Sequence, residues 1–433
     1  MSVTVGLWGV AGLVLLLVLR VPVALALVAV SFGGVAFMPG LAPAVGILAN
    51  TPFHFVSSWS LSAVPMFLLM GFVAYHAGLT AGLFDAAKAL LRRIPGALAI
   101  SSIFACSGFA AVCGSSLATA ASMGRIAIPE MVKSGYAPSF ATGAIAAGGT
   151  IGALIPPSIL MIIYGVFAET SVLKVFMGGV TVGLLTALSY AAVVLITCWL
   201  RPDIAPPRPL DAGQIDTRRA LINVWPVGLL MAIVFGGLFS GLFTATEAGA
   251  IGAAGAILIA VATRRLTFAL FRQAMIETLQ TSASLFIIGV GAAMFTRFLG
   301  LTGLSNWLTA TVGGMQLGYL ELMLVVIVVY LILGMFMEPF GAMLITLPVF
   351  LPILNAQGLD LVWFGVLLVK LLEVGMITPP IGMNVFVIRN VAGQYATLAQ
   401  IFRGVIPFLA ADAVVVAIII AFPALILFLP GFV

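Results

Sequence analysis

The chain has 433 residues, 63% of them apolar and only 7% charged, with a formal charge of +5. Soluble domains carry roughly 25% charge, and here apolar windows of about twenty residues recur from end to end, each long enough for a bilayer core of about 30 Å. A soluble enzyme is excluded, and so is a β-barrel, because the apolar residues run on without polar alternation. Basic residues gather at the ends of spans, which marks topology instead of a nucleic-acid face.

The first span, 7–19, lacks a basic start and runs through Arg20 into a second span at 21–38, so no cleavable leader is expected. A span at 59–78 follows and runs towards Lys88, Arg92 and Arg93. The stretch TAGLFDAAKALLRRI, 80–94, puts Leu83, Phe84, Ala87, Leu90, Leu91 and Ile94 on one face, with Asp85, Lys88 and Arg92 opposite. This is the pattern of an interfacial amphipathic helix. Residues 301–312, with Leu304, Trp307 and Leu308 but no cation, are its counterpart in the second half. Both read as arms joining a fixed scaffold to a moving domain, with two ordinary surface loops as the alternative.

Val172–Leu200 ends at Arg201, and the Pro- and charge-rich linker 201–219 cuts the chain into near-equal halves. Spans at 224–243 and 245–263 follow, the latter ending at Arg264 and Arg265; Arg389 and Arg403 precede a last apolar stretch at 405–429. Placing these cations in the cytoplasm leaves both termini on the outer, periplasmic side. Cys106, Cys113 and Cys198 lie in apolar segments and have no metal spacing; they read as buried thiols. His54 and His76 have no Ser, Cys or acidic neighbour in sequence and read as packing residues. No nucleophile–base pair stands out, so an intramembrane enzyme is not expected, and no cofactor is implied.

Comparing the halves reveals a repeat. Ile128-Pro129 and Gly135 precede Leu351-Pro352 and Gly358 by 223 positions, and the same offset carries GALIPP, 152–157, onto GMITPP, 375–380. With a shift of one, Gly78-Leu79-Thr80 matches Gly300-Leu301-Thr302. Counting spans, the first copy (1–200) enters the membrane from outside and the second (220–433) from inside, so the repeats are expected to be inverted, as in secondary transporters. The fold class is therefore an all-α polytopic membrane protein of two inverted repeats. Each copy has a re-entrant helical hairpin, about 97–132 and about 317–354, and a broken helix, about 138–168 and about 360–389.

The hairpins explain GMFMEPFGA, 334–342, where a carboxylate and a proline interrupt an apolar run. A charge facing lipid at a helix centre costs roughly 3 kcal/mol, but irregular backbone is tolerated where it lines a cavity. Gly114-Ser115-Ser116 and Glu338-Pro339-Phe340-Gly341 are expected at the two turns. Pro156-Pro157 and Pro379-Pro380 each delete two backbone donors within a span and so break it. Carbonyls freed near Gly152–Ile155 and Gly375–Thr378 are hard-oxygen ligands suited to Na⁺, and the half-helix that follows favours an anion. Simple kinking for packing is the other reading of the prolines.

At these residues the chain resembles the large membrane subunit of tripartite ATP-independent periplasmic (TRAP) transporters, over nearly its whole length. The resemblance rests on Trp59-Ser60-Leu61 with Pro65-Met66-Phe67, on Gly114-Ser115-Ser116-Leu117-Ala118-Thr119-Ala120, and on Thr246-Glu247-Ala248-Gly249-Ala250. Glu338-Pro339 with Thr346 and Pro348, and Thr378-Pro379-Pro380-Ile381-Gly382-Met383-Asn384, complete it. It implies Na⁺-driven uptake of an organic anion, usually a carboxylate, by an elevator motion in the bacterial inner membrane. A periplasmic binding protein delivers the substrate, and a separate small subunit of about four helices braces the scaffold. Carried over, one Na⁺ site involves Ser115 with Gly149, Gly152 and Ile155; the other involves Met337 and Gly341 with Gly375 and Thr378. Backbone oxygens are the main ligands.

Ser116, Thr119, Arg125, Thr150 and Asn384 are the candidates for substrate. Ser115, Ser116 and Thr119 can equally cap the hairpin, and Arg125 can pair with Glu130 or snorkel to the surface instead. Glu338 reads as a brace or cap at the turn in preference to a ligand, Glu247 as a helix cap, and Lys370 with Glu373 as an internal pair. A standalone dicarboxylate or citrate symporter of the same architecture is the alternative function.

Overall fold

The computed structural model describes residues 3–206, 216–315 and 318–432, and all regular structure among them is helical. Helices α1 (Val3–Val18), α2 (Val23–Phe37) and α3 (Leu41–Val56) lead into α4 (Ala63–His76) and the short α5 (Gly82–Leu91). A hairpin of α6 (Ala97–Cys113) and α7 (Ser116–Lys133) is followed by α8 (Pro138–Thr150), α9 (Ile159–Phe167) and α10 (Val172–Leu200). The second half contains α11 (Thr217–Asn223), α12 (Trp225–Phe239), α13 (Ala245–Ala262), α14 (Phe268–Thr302) and α15 (Leu304–Gly314). A second hairpin, α16 (Tyr319–Phe336) and α17 (Pro339–Ala356), precedes α18 (Leu361–Gly375), α19 (Met383–Ala392), α20 (Leu398–Ala421) and α21 (Ala424–Leu427). Among the described residues seven helices are long and apolar enough to cross a membrane, and the bent pair α11–α12 would make an eighth. The linker positions 207–215 and the hairpin start at Leu317 lie outside the described residues.

The helices pack in two groups. In one, α14 lies along α2, α3 and α4, while α13 packs on α4 and α12, and α1 on α2. In the other, α8 is surrounded by α6, α7, α19 and α20, and α18 by α16, α17, α10 and α20. The two helices expected to be arms make these contacts: α5 touches α6 and α11, and α15 touches α17 and α14. Gly78 and Gly303 turn into these arms with φ of +63° and +74°, a conformation glycine adopts without a Cβ penalty. Here the repeat alignment is corrected. Gly300, its expected match to Gly78, lies within α14, and the turning glycine is three residues later.

The first hairpin runs from Ala97 to Lys133, and only Gly114 and Ser115 separate its helices. The second turns more tightly than expected. Only Met337 and Glu338 lie between α16 and α17, because Pro339 is the first helical residue, where its missing N–H costs nothing, and Phe340 and Gly341 are already helical. Both double prolines fall in breaks. The first lies between a 3₁₀ turn at Ile151–Ala153 and α9, and the second between α18 and α19. Pro156 and Pro157 are buried, whereas Pro379 and Pro380 are exposed.

Candidate functional site

Where the two helix groups face each other they enclose a cavity of about 340 Å³. Gly71, Phe72 and Tyr75 of α4 with Thr281, Ser284 and Ile288 of α14 form one wall. Both hairpin tips form the other: Gly114, Ser115 and Ser116 from the first, Glu338, Pro339 and Phe340 from the second. Residues from both breaks close it, with Ala153 and Ile159 at the first, and Glu373 and Met376 at the end of α18.

Glycines set how closely these parts approach. A Cβ on Gly152 would stand 2.8 Å from Ser116 Cα and 2.9 Å from Ser115 O, so the first break is laid directly on the first tip. Gly114, at φ +59°, turns over Pro157 O. At the matching place in the second copy a Cβ on Gly375 would lie 2.7 Å from Gly334 Cα. The breaks are thus held against the hairpins by backbone-to-backbone contact that no other residue allows.

The carbonyls at the breaks are only partly free. The residues four positions after Gly152 and Ala153, where a continuing helix would supply donors, are Pro156 and Pro157, which have no N–H. At the second break, Gly375 O accepts from Thr378 N at 3.1 Å and Met376 O from Asn384 N at 3.0 Å, so a 3₁₀-like turn and the incoming helix use two oxygens that were expected to be free.

The predicted site residues divide into three groups. Ser115, Ser116, Glu338 and Pro339 line the cavity. Gly149, Gly152 and Gly375 lie behind the hairpin backbones, as described for the last two, with Ala120 Cβ 2.8 Å from a Cβ on Gly149. The rest of the predicted set does not line it. Thr119 Oγ1 donates to Ser115 O at 2.8 Å, Thr378 Oγ1 to Val374 O at 2.7 Å, and Asn384 Nδ2 to Ala146 O at 3.5 Å. Thr150 Oγ1 donates to Ala147 O at 2.7 Å and lies 3.2 Å from the Tyr190 hydroxyl.

Arg125 is exposed on α7, and the Glu130 pairing open to it goes to Lys88 Nζ at 2.9 Å instead. Ser115 is the N-cap of α7, accepting from Ala118 N at 3.4 Å. Glu338 is the N-cap residue of α17, yet its carboxylate makes no cap bond, contrary to the brace expected of it. Glu247 does cap α13, in a reciprocal box with Thr244. His54 is exposed and His76 binds Glu277 Oε2 at 2.9 Å, so neither histidine is a plain packing residue.

The expected Lys370–Glu373 pair is also corrected. Lys370 Nζ binds Asp412 of α20, and Tyr190 of α10 donates to the same carboxylate at 2.8–2.9 Å. Lys370, Asp412 and Tyr190 are all fully buried. A buried charge needs a partner with full hydrogen bonding, and Asp412 supplies one from another helix better than a residue three positions along the same helix. Glu373, 1% exposed, is left lining the cavity with the Ser116 hydroxyl close by. Neither Ser116 Oγ nor Glu373 Oε2 has a partner of hydrogen-bond geometry among the described residues. Sequence reasoning missed Glu373, Thr281 and Ser284 as cavity residues. The signal for Glu373 was its place two residues before the glycine of GMITPP.

A model of the family described as "Tripartite ATP-independent periplasmic transporter, DctM component" matches residues 10–425. The chain is 37% identical over 404 residues to the C4-dicarboxylate TRAP transporter large permease protein DctM of Pseudomonas aeruginosa, covering 90% of this chain and 93% of that one. It is 33% identical over 377 residues to the sialic acid TRAP transporter large permease protein SiaM of Vibrio cholerae, 87% of each chain. To the ectoine/5-hydroxyectoine TRAP transporter large permease protein UehC of Ruegeria pomeroyi it is 31% identical over 420 residues, 96% of each. Among solved structures the YdaH transporter of Alcanivorax borkumensis shares the fold, with a TM-score of 0.63 and 17% identity over 89% of this chain and 90% of that one.

Proposed function

The chain belongs to the DctM component family of tripartite ATP-independent periplasmic transporters, and from that premise we propose that it couples a sodium gradient to import of an organic anion, a carboxylate by class. Membership of the family brings a small membrane subunit and a periplasmic binding protein as partners. In our reading the small subunit is a separate chain, the complex lies in the bacterial inner membrane, and both termini face the periplasm. The two copies of hairpin plus broken helix are inverted repeats. The group around α8 and α18 slides against the group around α14, with α5 and α15 as the arms that permit it.

The observation that carries this reading is the cavity at which both hairpin tips meet α4 and α14. A ligand there touches both groups at once, so relative sliding would carry it across the bilayer. Sodium would sit behind each tip, with Ser115, Gly149, Gly152 and Ile155 at the first site and Met337, Gly341, Gly375 and Thr378 at the second. The test is reconstitution of the chain with its small subunit in proteoliposomes, with the purified binding protein and radiolabelled candidate acids outside. Uptake is expected only with an inward sodium gradient and added binding protein. Equal uptake with potassium on both sides overturns the sodium coupling, and uptake without binding protein favours a standalone symporter.

A further inference from the structure

Helices α5 and α11 lie side by side and antiparallel. Arg92 Nη1 reaches Thr217 Oγ1 at 3.4 Å, and at the other end of the pair a Cβ on Gly82 would stand 3.0 Å from Asn223 O. The chain beyond α5 then meets the end of α10, where a Cβ on Gly96 would stand 2.6 Å from Cys198 Sγ. Five arginines gather at this corner: Arg92 and Arg93 after α5, Arg201 after α10, and Arg218 and Arg219 in α11. The acids nearby do not match them. Asp216 holds Arg219 at 3.2 Å, Asp203 is exposed two residues past Arg201, and Lys88 holds both Asp85 and Glu130. Arg93, Arg201 and Arg218 are exposed and have no side-chain partner among the described residues. Beside them the surface is apolar and equally bare: Leu90 is 66% exposed, Trp199 84%, Ile222 54% and Trp225 48%. Arginines next to exposed Trp and Leu are the mark of a surface lying at the membrane–water boundary.

We propose that this corner binds an anionic phospholipid, its phosphodiester held between the arginines after α5 and those of α11 while its chains cover Leu90 and Trp225. The guanidinium fork matches phosphate oxygens two at a time. A zwitterionic lipid brings its own cation and gains less from the same arginines. A free phosphate or an acidic soluble partner would satisfy the charge and leave the leucine and tryptophans in water, so the observations favour a lipid. Because α5 touches the hairpin helix α6 as well as α11, a lipid held here ties α5 to one leaflet and makes its mobility depend on membrane composition. The inference needs only a membrane-embedded chain and stands apart from the sodium coupling.

The test reads lipid preference at the corner itself. L90C, in a background of C106A, C113A and C198A and with a cysteine-free small subunit, carries one NBD fluorophore. The complex is reconstituted in bilayers with a nitroxide-chain phosphatidylglycerol or phosphatidylcholine at equal mole fraction, and quenching gives the relative association constant of the two lipids. The anionic lipid is expected to bind at least about fivefold better, the contribution of one arginine near a membrane surface. R92Q/R93Q/R218Q should abolish the preference while leaving phosphatidylcholine quenching unchanged, which shows that α5 still lies at the bilayer. R93Q alone, at an exposed side chain that packs on nothing, should lower it about twofold. R264Q/R272Q, which removes two exposed cations near the turn between α13 and α14, should leave it intact. No preference in the parent, a preference that survives both R93Q and the triple variant, or an equal fall in R264Q/R272Q overturns the proposal. Loss of the preference on adding inorganic phosphate at constant ionic strength makes the free ion the ligand and overturns it as well.

Discussion

Lys370 and Asp412 are joined across α18 and α20 with neither side chain exposed, and the Tyr190 hydroxyl donates to the same carboxylate. Removing one partner leaves the other charged and dry, which costs about 3–5 kcal/mol, whereas replacing both with apolar residues of similar size is near neutral. K370M and D412L alone should each lower the unfolding temperature sharply, followed by tryptophan fluorescence in detergent. The double variant K370M/D412L should recover most of the loss. Equal loss in all three would mean that the pair is not the source of the stability.

Gly152 and Gly375 press on hairpin backbone, and backbone cannot step aside for a methyl group. G152A and G375A should each destabilise by about 1–3 kcal/mol and cut uptake at least tenfold while the protein still inserts. Gly300, with nothing within 4 Å of its Cβ position and a helical place in α14, is the control. G300A should be neutral or stabilising by up to about 1 kcal/mol. Unfolding temperature and initial uptake rate, measured side by side, decide it.

Ser115 caps α7 at the first tip, and Thr378 stands at the second break. S115A and T378A should each raise the sodium concentration for half-maximal uptake at least threefold and flatten the sodium response. S115A should also lose about 1 kcal/mol of stability with the cap. An unchanged sodium response in both, at normal expression, would move the ion sites elsewhere.

Lys88 on α5 holds Asp85 and Glu130, both at 2.9 Å. Burial lowers its pKa, but the hydrogen bonds and charges of Glu130 and Asp85 outweigh this and hold it above the ordinary 10.5. The stability this adds is fully present below 10.5 and fades only as pH rises through the higher folded value. K88M should therefore cost no more than about 1 kcal/mol, by the same amount at pH 6 and pH 9. A loss that grows between those two values would contradict the pairing.

Composition alone was enough to read the helical class, since about twenty apolar residues have one stable way to cross a bilayer. The hairpins and breaks were legible because glycine and proline act locally: Gly114 and Pro339 end and begin helices wherever the chain goes next. What stayed hidden is long-range. Nothing in the spacing of Lys370 and Glu373 reveals that Asp412, 42 positions on, takes the ammonium. The Gly78–Gly300 match looked sound because three identical letters aligned, yet the helix runs on through Gly300 to turn at Gly303. Thr281 and Ser284 were invisible as cavity residues because a serine or threonine inside an apolar helix is indistinguishable from one bonded to its own backbone.

Helix α14 has 35 residues, about 52 Å at 1.5 Å per residue. Even leaning by 40°, at the edge of what spanning helices adopt, it rises about 40 Å against roughly 30 Å of hydrocarbon. At least one end must therefore leave the hydrocarbon for the headgroup layer, and the turns bearing Arg272, Gln273 and Glu277 are the ones suited to it. That protruding stub is a ready handle. An antibody fragment or fluorophore fixed there would report the tilt of the whole rod during turnover without entering the cavity between the helix groups.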